Sequence, residues 1–360
     1  MEKSLNITSR PIIYLLKKIA IPASTGSLFQ TLFNIVDTFF AGQISSDALA
    51  ALAKSFPLYF LIISAGIGIV AGCNSLISNS LGQRNRFAAL IYTYHTFIYS
   101  ILLSIVLTFI GVFFSYEILK LMGSSTDSIY LAKEYTDIIF YGTLFFLILT
   151  SLNAVLYAQG DTKTYRNVLI IGLFANIILN PLFIFGFLFI PAFGIAGLAI
   201  STILIQFCAC IYLFYKVNKT VLKIVLKTEN FLIRKNFFIN IFNQCMPITF
   251  ALFLVAVGSY ILLSFISIFG DNAIAGYGAA VRFEHIFTLP VIGLNTAVIT
   301  IAGQNFGARR YDRVRDVYKK ALVIGFIIMC ISGVTIFLFS EFIVSLFTND
   351  LEVIKFGSNY

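Results

Sequence analysis

Asp37 is the residue whose position in this sequence points most directly to chemistry. It lies in the segment FNIVDTFFAG, with apolar residues on both sides, inside a long apolar run. An ionised carboxylate in such surroundings is costly, and acidic residues inside membrane spans usually mark the pathway of an ion or a proton. We therefore predict that Asp37 binds and releases a cation. The alternative is an aspartate at the outer end of a helix, close to Gly42.

Polar side chains in later apolar runs could complete a pocket around Asp37. Asn176 and Asn180, in FANIILNPLFIFG, are four residues apart and therefore share one face of a helix. The runs before and after this one supply the other candidates, which are Tyr135, Asn153, Ser201 and Thr202. The alternative is that these side chains only hydrogen-bond one helix to the next.

A second group of ionisable residues lies in the segment AAVRFEHIFTLPVIGLN. Arg282, Glu284 and His285 occur within four residues, and such groups inside a span must face a cavity, a partner helix or the interface. We consider Arg282 and Glu284, together with Asn295, as the lining of a candidate second cavity, and snorkelling to the membrane surface is the alternative. We expect His95 to lie at the interface.

The composition defines the kind of element that must position these residues. Of 360 residues, 59% are hydrophobic and 11% are charged, whereas soluble domains carry about a quarter charged residues. Lipid must therefore be the solvent, and the expected fold is an all-α polytopic membrane protein.

The net charge of +9 lies mostly in short loops, which excludes a nucleic-acid partner. The five cysteines lie in apolar runs without metal-ligand spacing, so neither a disulfide framework nor a cofactor site is expected.

Nine apolar runs are long enough to cross a bilayer, which takes about 20 residues of helix. The runs are 14–40, 52–80, 91–115, 135–158, 166–188, 195–216, 238–268, 275–304 and 319–347. The first, second, seventh and eighth exceed one bilayer, so we expect them to tilt, kink or protrude. Five prolines in or at the ends of these runs permit bends, namely Pro22, Pro57, Pro181, Pro247 and Pro290.

The distribution of lysine and arginine predicts the orientation. With the N-terminus in the cytoplasm, 20 of the 25 basic residues fall on the cytoplasmic side and four on the outer side. Because cytoplasmic loops of membrane proteins carry the excess of positive charge, we expect a multi-pass protein of the cell membrane with a cytoplasmic N-terminus.

An internal repeat appears at one fixed offset, which relates Pro22 to Pro247 and Gly82 to Gly307. Without a gap, "DALAAL…LGQRN" aligns with "NAIAGY…FGARR". Six identities, at one proline, two alanines, two glycines and one arginine, support the relation. The copies have the same orientation, so the repeat is parallel. We predict an N-lobe of six helices over residues 1–215, a basic cytoplasmic linker over 216–236 and an incomplete C-lobe of about three helices over 237–360. Two full copies would exceed the chain by about 90 residues, so we expect a fragment or a natural truncation.

The residues identified above resemble those of the multidrug and toxic compound extrusion (MATE) family. The similarity extends over essentially the whole chain, through PASTGSLFQTLFNIVDTFFAG, DALAALAKSFP, NIILNPLFIFG with GIAGLAIST, and YGAAVRFEHIFTLPVIGLNTAVITIAGQNFGARRYDRV. It implies twelve helices in two six-helix lobes around a central cavity. It also implies export of organic cations or drug-like molecules in exchange for H⁺ or Na⁺, by a protein that we expect to act as a monomer and not as an enzyme.

The resemblance assigns roles to individual residues. The first-span acid of the family's N-lobe cation site falls on Asp37, and the tyrosine and asparagines of that site fall on Tyr135, Asn153 and Asn176. Pro22 matches the proline at which the first helix of the family bends. Many members carry a second aspartate where this chain has Asn180, so Asp37 would be the single acid of the site here. Amide oxygens of Asn176 and Asn180 could still ligate Na⁺ beside it.

Three other functions are compatible with parts of the sequence. A flippase for lipid-linked precursors, from the same superfamily, would need several basic residues in its cavity, and Arg282 is the single arginine inside a predicted span. A truncated remnant that does not transport would expose polar helix faces to lipid, at a cost of several kcal/mol per unsatisfied group. A membrane enzyme would need paired carboxylates, a nucleophile with its base or a metal cluster, and the sequence offers none of these patterns.

Overall fold

A computed structural model describes residues 6–121, 126–223, 234–346 and 350–360 of the chain. These residues form α-helices joined by short connections, with a short 3₁₀ turn at Ser267–Phe269. The helices are α1 Ile12–Ile44, α2 Ser46–Gly82, α3 Arg86–Leu121, α4 Thr126–Tyr141, α5 Thr143–Ala158, α6 Lys163–Phe185, α7 Ile195–Asn218, α8 Lys235–Ile266, α9 Asp271–Gly307, α10 Tyr311–Ser345 and α11 Leu351–Asn359.

The predicted membrane spans correspond to these helices. Within the described ranges, eight helices are long and apolar enough to cross a bilayer, or nine when the bent pair α4 and α5 counts as one span. The all-α polytopic fold is therefore confirmed. The four runs predicted to exceed one bilayer form helices of 32 to 37 residues, and their prolines lie inside the helices. The third and ninth runs were predicted too short, because α3 and α10 continue through charged residues to 36 and 35 residues.

The fourth span differs in extent from the run predicted over 135–158 and contains a bend. It begins at Thr126 and bends by 48° between Tyr141 and Thr143. Gly142 lies at the bend, and a β-carbon there would overlap the side chain of Ile203 on α7. The absence of a side chain at Gly142 thus allows the bent span to pack closely on α7. Sequence periodicity carries no signal for this bend.

Helix α2 lies at the centre of the described structure and packs against α3, α4, α5, α8 and α9. Its apolar face joins the main core, to which α5 contributes a nearly continuous buried surface. Polar contacts are inserted into this packing, since Thr136 on α4 donates to Ser55 on α2 at 3.0 Å and Ser100 on α3 contacts Ser151 on α5. Such side-chain hydrogen bonds join neighbouring helices where lipid offers no partner.

The sequence repeat reappears as paired contacts between the two halves of the chain. Gly68 on α2 packs against Thr249 and the Cys245 carbonyl of α8, and its repeat partner Gly293 on α9 packs against Ser24 and the Ala20 carbonyl of α1. Each residue of one contact is the repeat partner of a residue in the other. At each position a β-carbon would overlap the facing helix, so glycine is what allows the two backbones to approach.

The same relation holds at the end of the helices where α2 and α9 cross. Gly82 faces the Gln304 carbonyl, and its repeat partner Gly307 faces the Asn79 carbonyl. Asn79 is itself the repeat partner of Gln304. Two residues beyond each glycine the chain turns through a left-handed residue, Arg84 with φ 59° and Arg309 with φ 58°. Both turns are C-terminal caps that reverse the chain after a long helix. The two halves of the chain thus share local structure as well as sequence.

Gly82→Ala should destabilise the contact between the two halves. The new methyl group would overlap the Gln304 carbonyl, which is backbone and cannot turn away, and overpacking of this kind costs about 1–3 kcal/mol in the free energy of unfolding. The measurement is the apparent melting temperature of the detergent-solubilised chain, followed by size-exclusion chromatography after heating. Gly333→Ala is the control, because a β-carbon there meets no atom within 4 Å. Equal melting temperatures for both variants would contradict the contact.

Residues 224–233, about half of the predicted 216–236 linker, lie outside the described residues. Where the chain resumes, the Arg234 N–H donates to Nε2 of His95 at 2.8 Å, and Nδ1 of His95 lies 2.9 Å from the Ile91 carbonyl. His95 is buried. The side chain is therefore covered by protein at Arg234, and its expected place at the level of the membrane interface stays a prediction.

Candidate functional site

The Asp37 carboxylate is the centre of a buried polar cluster. The side chain is 6% exposed on α1. Its Oδ1 accepts two hydrogen bonds from α6, from Nδ2 of Asn176 at 2.8 Å and from Nδ2 of Asn180 at 2.9 Å. The four-residue spacing of the asparagines places both amides on the face of α6 that packs along α1. Bonds to an ionised acceptor are among the stronger hydrogen bonds in proteins, and these two link α1 to α6.

The two asparagines are also bonded to each other. Nδ2 of Asn176 donates to Oδ1 of Asn180 at 3.3 Å, and Nδ2 of Asn180 donates to Oδ1 of Asn176 at 3.1 Å. Ser201 on α7 donates to Oδ1 of Asn180 as well. The cluster therefore extends from α1 through α6 to α7. Apolar residues of the same three helices, Phe33, Leu173 and Ile205, pack together as a separate small core.

Tyr135, Asn153 and Thr202 occupy different positions relative to Asp37. Tyr135 on α4 is buried and lies within electrostatic range of the Asp37 carboxylate. Asn153 on α5 lies beside Tyr157, and its Oδ1 is buried without a hydrogen-bond partner among the described residues. Thr202 donates to the Leu198 carbonyl of its own helix at 3.0 Å. Of the predicted set, the structure thus bonds Asn176 and Asn180 directly to Asp37, with Ser201 one bond further away.

Tyr59 is a neighbour of Asp37 that no sequence pattern singled out. It lies on α2 within electrostatic range of the Asp37 carboxylate, and its ring contacts Phe146 of α5 edge to face, with centroids 5.8 Å apart. A tyrosine in an apolar span is common, so type and spacing carried no signal. Its position two residues after Pro57 is the one feature of the sequence that could have marked Tyr59 as a candidate.

The residues predicted to line a second cavity do not join this cluster. Arg282, Glu284 and Asn295 lie on α9 and are exposed, and Oε2 of Glu284 accepts a long bond of 3.5 Å from the Tyr360 hydroxyl. The repeat partner of Asp37 is Leu262 on α8, so the second half of the chain has no acid at the equivalent position. The carboxylate cluster is therefore specific to the first half.

A cavity of about 940 Å³ lies at the far end of the helices from Asp37. It is bounded by the ends of α2 and α9 and by the segment before α1, and its charged lining residues are Arg84, Arg309 and Arg310. The segment before α1 is held there, because Arg310 donates to the Thr8 carbonyl at 2.7 Å and Arg313 donates to the Arg10 carbonyl at 2.7 Å. This positive lining is unsuited to an organic cation, so we place the candidate site at Asp37.

Long apolar helices arranged as a parallel repeat, with a buried carboxylate held between two spans, define a multi-pass membrane transporter. The chain belongs to the MATE family, since the MatE family profile matches residues 22–182 and 247–360. Its members are transporters and not enzymes. The resemblance inferred from the sequence motifs is thus confirmed.

Comparison with individual proteins supports the same assignment. "Probable multidrug resistance protein YoeA" of Bacillus subtilis is 30% identical over 340 residues, which cover 93% of this chain and 73% of that protein. The "FAD transporter" of Shewanella oneidensis is 24% identical over 363 residues, covering 100% of this chain and 80% of that protein. A solved structure described as the outward-facing conformation of a multidrug resistance MATE family transporter superimposes with a TM-score of 0.90, at 24% identity, over 100% of this chain and 80% of that one. The likeness to that structure confirms the two-lobe family fold.

Proposed function

We propose that this chain exports drug-like organic cations in exchange for inward movement of H⁺ or Na⁺, with Asp37 as the coupling carboxylate. The observation that carries the proposal is a carboxylate buried inside a span and bonded by two amides of a neighbouring span. A buried acid in such a position is costly to maintain and is typical of ion pathways. Its partners come from a different helix, so a change in its charge acts on the packing of α1 against α6.

The coupling would follow from neutralisation of Asp37. In the ionised form, Oδ1 accepts both amide bonds; a bound cation removes the negative charge that strengthens them. Pro22 lies in the same helix and cannot donate the backbone hydrogen bond of a regular turn, so α1 can bend there at low cost. Cation binding would thus shift α1 between two arrangements, one that holds the substrate and one that releases it.

The orientation of the amides favours H⁺ as the coupling ion. Asn176 and Asn180 both direct an N–H group at Oδ1 of Asp37. Each amide oxygen accepts from Nδ2 of the other asparagine, and Oδ1 of Asn180 also accepts from Ser201. Na⁺ is bound by oxygen atoms, so a Na⁺ ion at Oδ1 would require both amides to turn round. A proton requires no such rearrangement.

The substrate class is supported by the surroundings of Asp37 and by the relatives. Tyr59 and Tyr135 provide aromatic rings near a negative charge, and such rings attract organic cations. Several relatives are named for multidrug resistance. The FAD transporter is a relative with a different cargo, and FAD is therefore the second candidate substrate.

The orientation follows from the charge distribution. We infer that the end carrying Arg84 and Arg309 faces the cytoplasm of a cell-membrane protein, because 20 of the 25 basic residues fall on that side. The close contacts of Gly82 and Gly307 then seal the cytoplasmic end between the two halves. In this arrangement the transporter is closed inward.

Transport by the purified full chain in liposomes tests the proposal. We expect ethidium, a cationic dye, to move when a pH gradient is imposed and to stop when a protonophore collapses that gradient. A Na⁺ gradient at constant pH is the second arm and FAD is the second cargo. Movement driven by Na⁺ alone would overturn the assignment of H⁺; movement of FAD without ethidium would overturn the substrate class.

A further inference from the structure

Two cysteine thiols from different halves of the chain are in direct contact. Sγ of Cys73 on α2 lies 3.7 Å from Sγ of Cys245 on α8, and both side chains are fully buried. The first residue belongs to the first repeat and the second to the second repeat, so the contact crosses the boundary that must open for alternating access. Sequence alone treats both residues as small apolar side chains.

The backbones of the two helices approach closely at this level. A β-carbon at Gly72, next to Cys73, would lie 2.7 Å from Sγ and 3.0 Å from the backbone nitrogen of Cys245. A disulfide needs β-carbons about 3.8 Å apart and sulfurs about 2 Å apart. The thiols are already in contact across closely packed helices, and bond formation requires the sulfurs to approach by about a further 1.7 Å.

A polar group without a bonding partner lies beside the thiols. The hydroxyl of Tyr99 on α3 is buried and has no hydrogen-bond partner within the described part of the chain. It lies within electrostatic range of both thiols, and its ring packs edge to face on Phe238 of α8, with centroids 5.9 Å apart. In this arrangement the Tyr99 hydroxyl bonds neither thiol, and buried thiols in apolar surroundings react only when they become accessible.

The repeat supplies an internal comparison for this pair. At the offset that relates Gly68 to Gly293, Cys73 corresponds to Val298 and Cys245 corresponds to Ala20. The contact of Gly293 with Ala20 and Ser24 reproduces that of Gly68 with Cys245 and Thr249. The contact between α1 and α9 therefore has the same packing as that between α2 and α8, with two inert side chains in place of the cysteines. Close packing of the helices therefore explains why the residues at positions 73 and 245 are small and apolar. It does not explain why both are cysteines.

We propose that Cys73 and Cys245 form a modification site for two-electron thiol oxidants, at which a disulfide ties the two halves together and stops transport. With diamide as the oxidant, one thiolate adds to the N=N bond when α2 and α8 part. Closure brings the second thiolate to that sulfur, the S–S bond forms, the S–N bond breaks, and the reagent leaves as a hydrazine with two electrons and two protons. Disulfides in a reducing cytosol are transient, so a thiol reductant reverses the block.

Mass spectrometry tests the modification without any transport assay. The full chain in detergent is treated with diamide, its remaining thiols are alkylated, and its peptides are sequenced. We expect alkylated cysteines to fall from five to three, with a linked peptide that joins Cys73 to Cys245 and disappears after reduction. Cys73→Ser should abolish the link, whereas Cys208→Ser, at an exposed cysteine, should not. Alkylation of Cys73 and Cys245 in the treated wild type would overturn the proposal.

Transport tests the consequence, which rests on the proposed function. Diamide should block ethidium movement in the wild type and in Cys208→Ser, and dithiothreitol should restore it. Cys73→Ser should remain active. A double variant Ala20→Cys/Val298→Cys can be made in a chain with Cys73→Ser and Cys245→Ser. Diamide should again block transport in this variant, through a disulfide between α1 and α9. Ethidium transport that continues after the disulfide has formed would overturn the proposed block of transport. A wild type that is inactive before oxidation would count against the proposed function, and mass spectrometry would still test the cross-link.

Discussion

Replacing Asp37 with asparagine should reduce gradient-driven ethidium export to the level of cells carrying an empty vector, while the protein still inserts and folds. The reason lies in the geometry of the acceptor. The bonds from Asn176 and Asn180 both end on Oδ1 of Asp37, and an asparagine at that position can place its own carbonyl oxygen there. The substitution therefore keeps both hydrogen bonds and removes only the charge and the titratable proton.

The control for this variant is Asp47→Asn, which makes the same change at an exposed acid in the first turn of α2. Its export rate should equal that of the wild type. The measurement is ethidium efflux in a host without its own exporters, together with membrane-inserted protein quantified for each variant. Full export by Asp37→Asn at normal protein levels would mean that coupling does not use this carboxylate.

The sequence predicted the members of the Asp37 cluster better than their contacts. The four-residue spacing of Asn176 and Asn180 required both amides to share a face, and a polar face in an apolar helix requires a partner. No local rule says which helix supplies that partner, so the bond to Asp37 could be seen only after α1 and α6 were placed together. Tyr59 illustrates the same limit, because its proximity to Asp37 depends on how α2 packs.

The fold was predictable where hydropathy and repetition determine it. Apolar runs predict spans because backbone groups in lipid must be bonded within a helix, and the internal repeat predicts that Gly82 and Gly307 occupy equivalent places. The bend at Gly142 and the contact of Cys73 with Cys245 were not predictable, since each depends on one neighbouring helix. Both involve residues that look ordinary in an apolar run.

Asn180→Asp should convert the site to one with a much higher affinity for cations. The amide of Asn180 donates to Asp37 at 2.9 Å, so the variant places a second carboxyl beside the first in a buried position. Two unit charges about 4 Å apart interact by about 4 kcal/mol at an effective dielectric constant of about 20, so the two carboxyls cannot both be ionised without a bound cation. We expect the site to retain a proton or to bind Na⁺ at least about tenfold more tightly than the wild type, which corresponds to about 1.4 kcal/mol.

The readout is the dependence of ethidium transport on pH and on Na⁺ in liposomes. The variant should need a more alkaline cytoplasmic side to release its proton, and its transport should become sensitive to Na⁺. Asn167→Asp is the matched control, because it introduces the same charge at an exposed position on the same helix, and its pH profile should follow that of the wild type. An Asn180→Asp variant with an unchanged pH profile and no Na⁺ response would show that this pair of side chains does not bind the coupling ion, even if Asp37→Asn abolishes export. The two variants thus separate a requirement for the charge on α1 from a requirement for a cation held between α1 and α6.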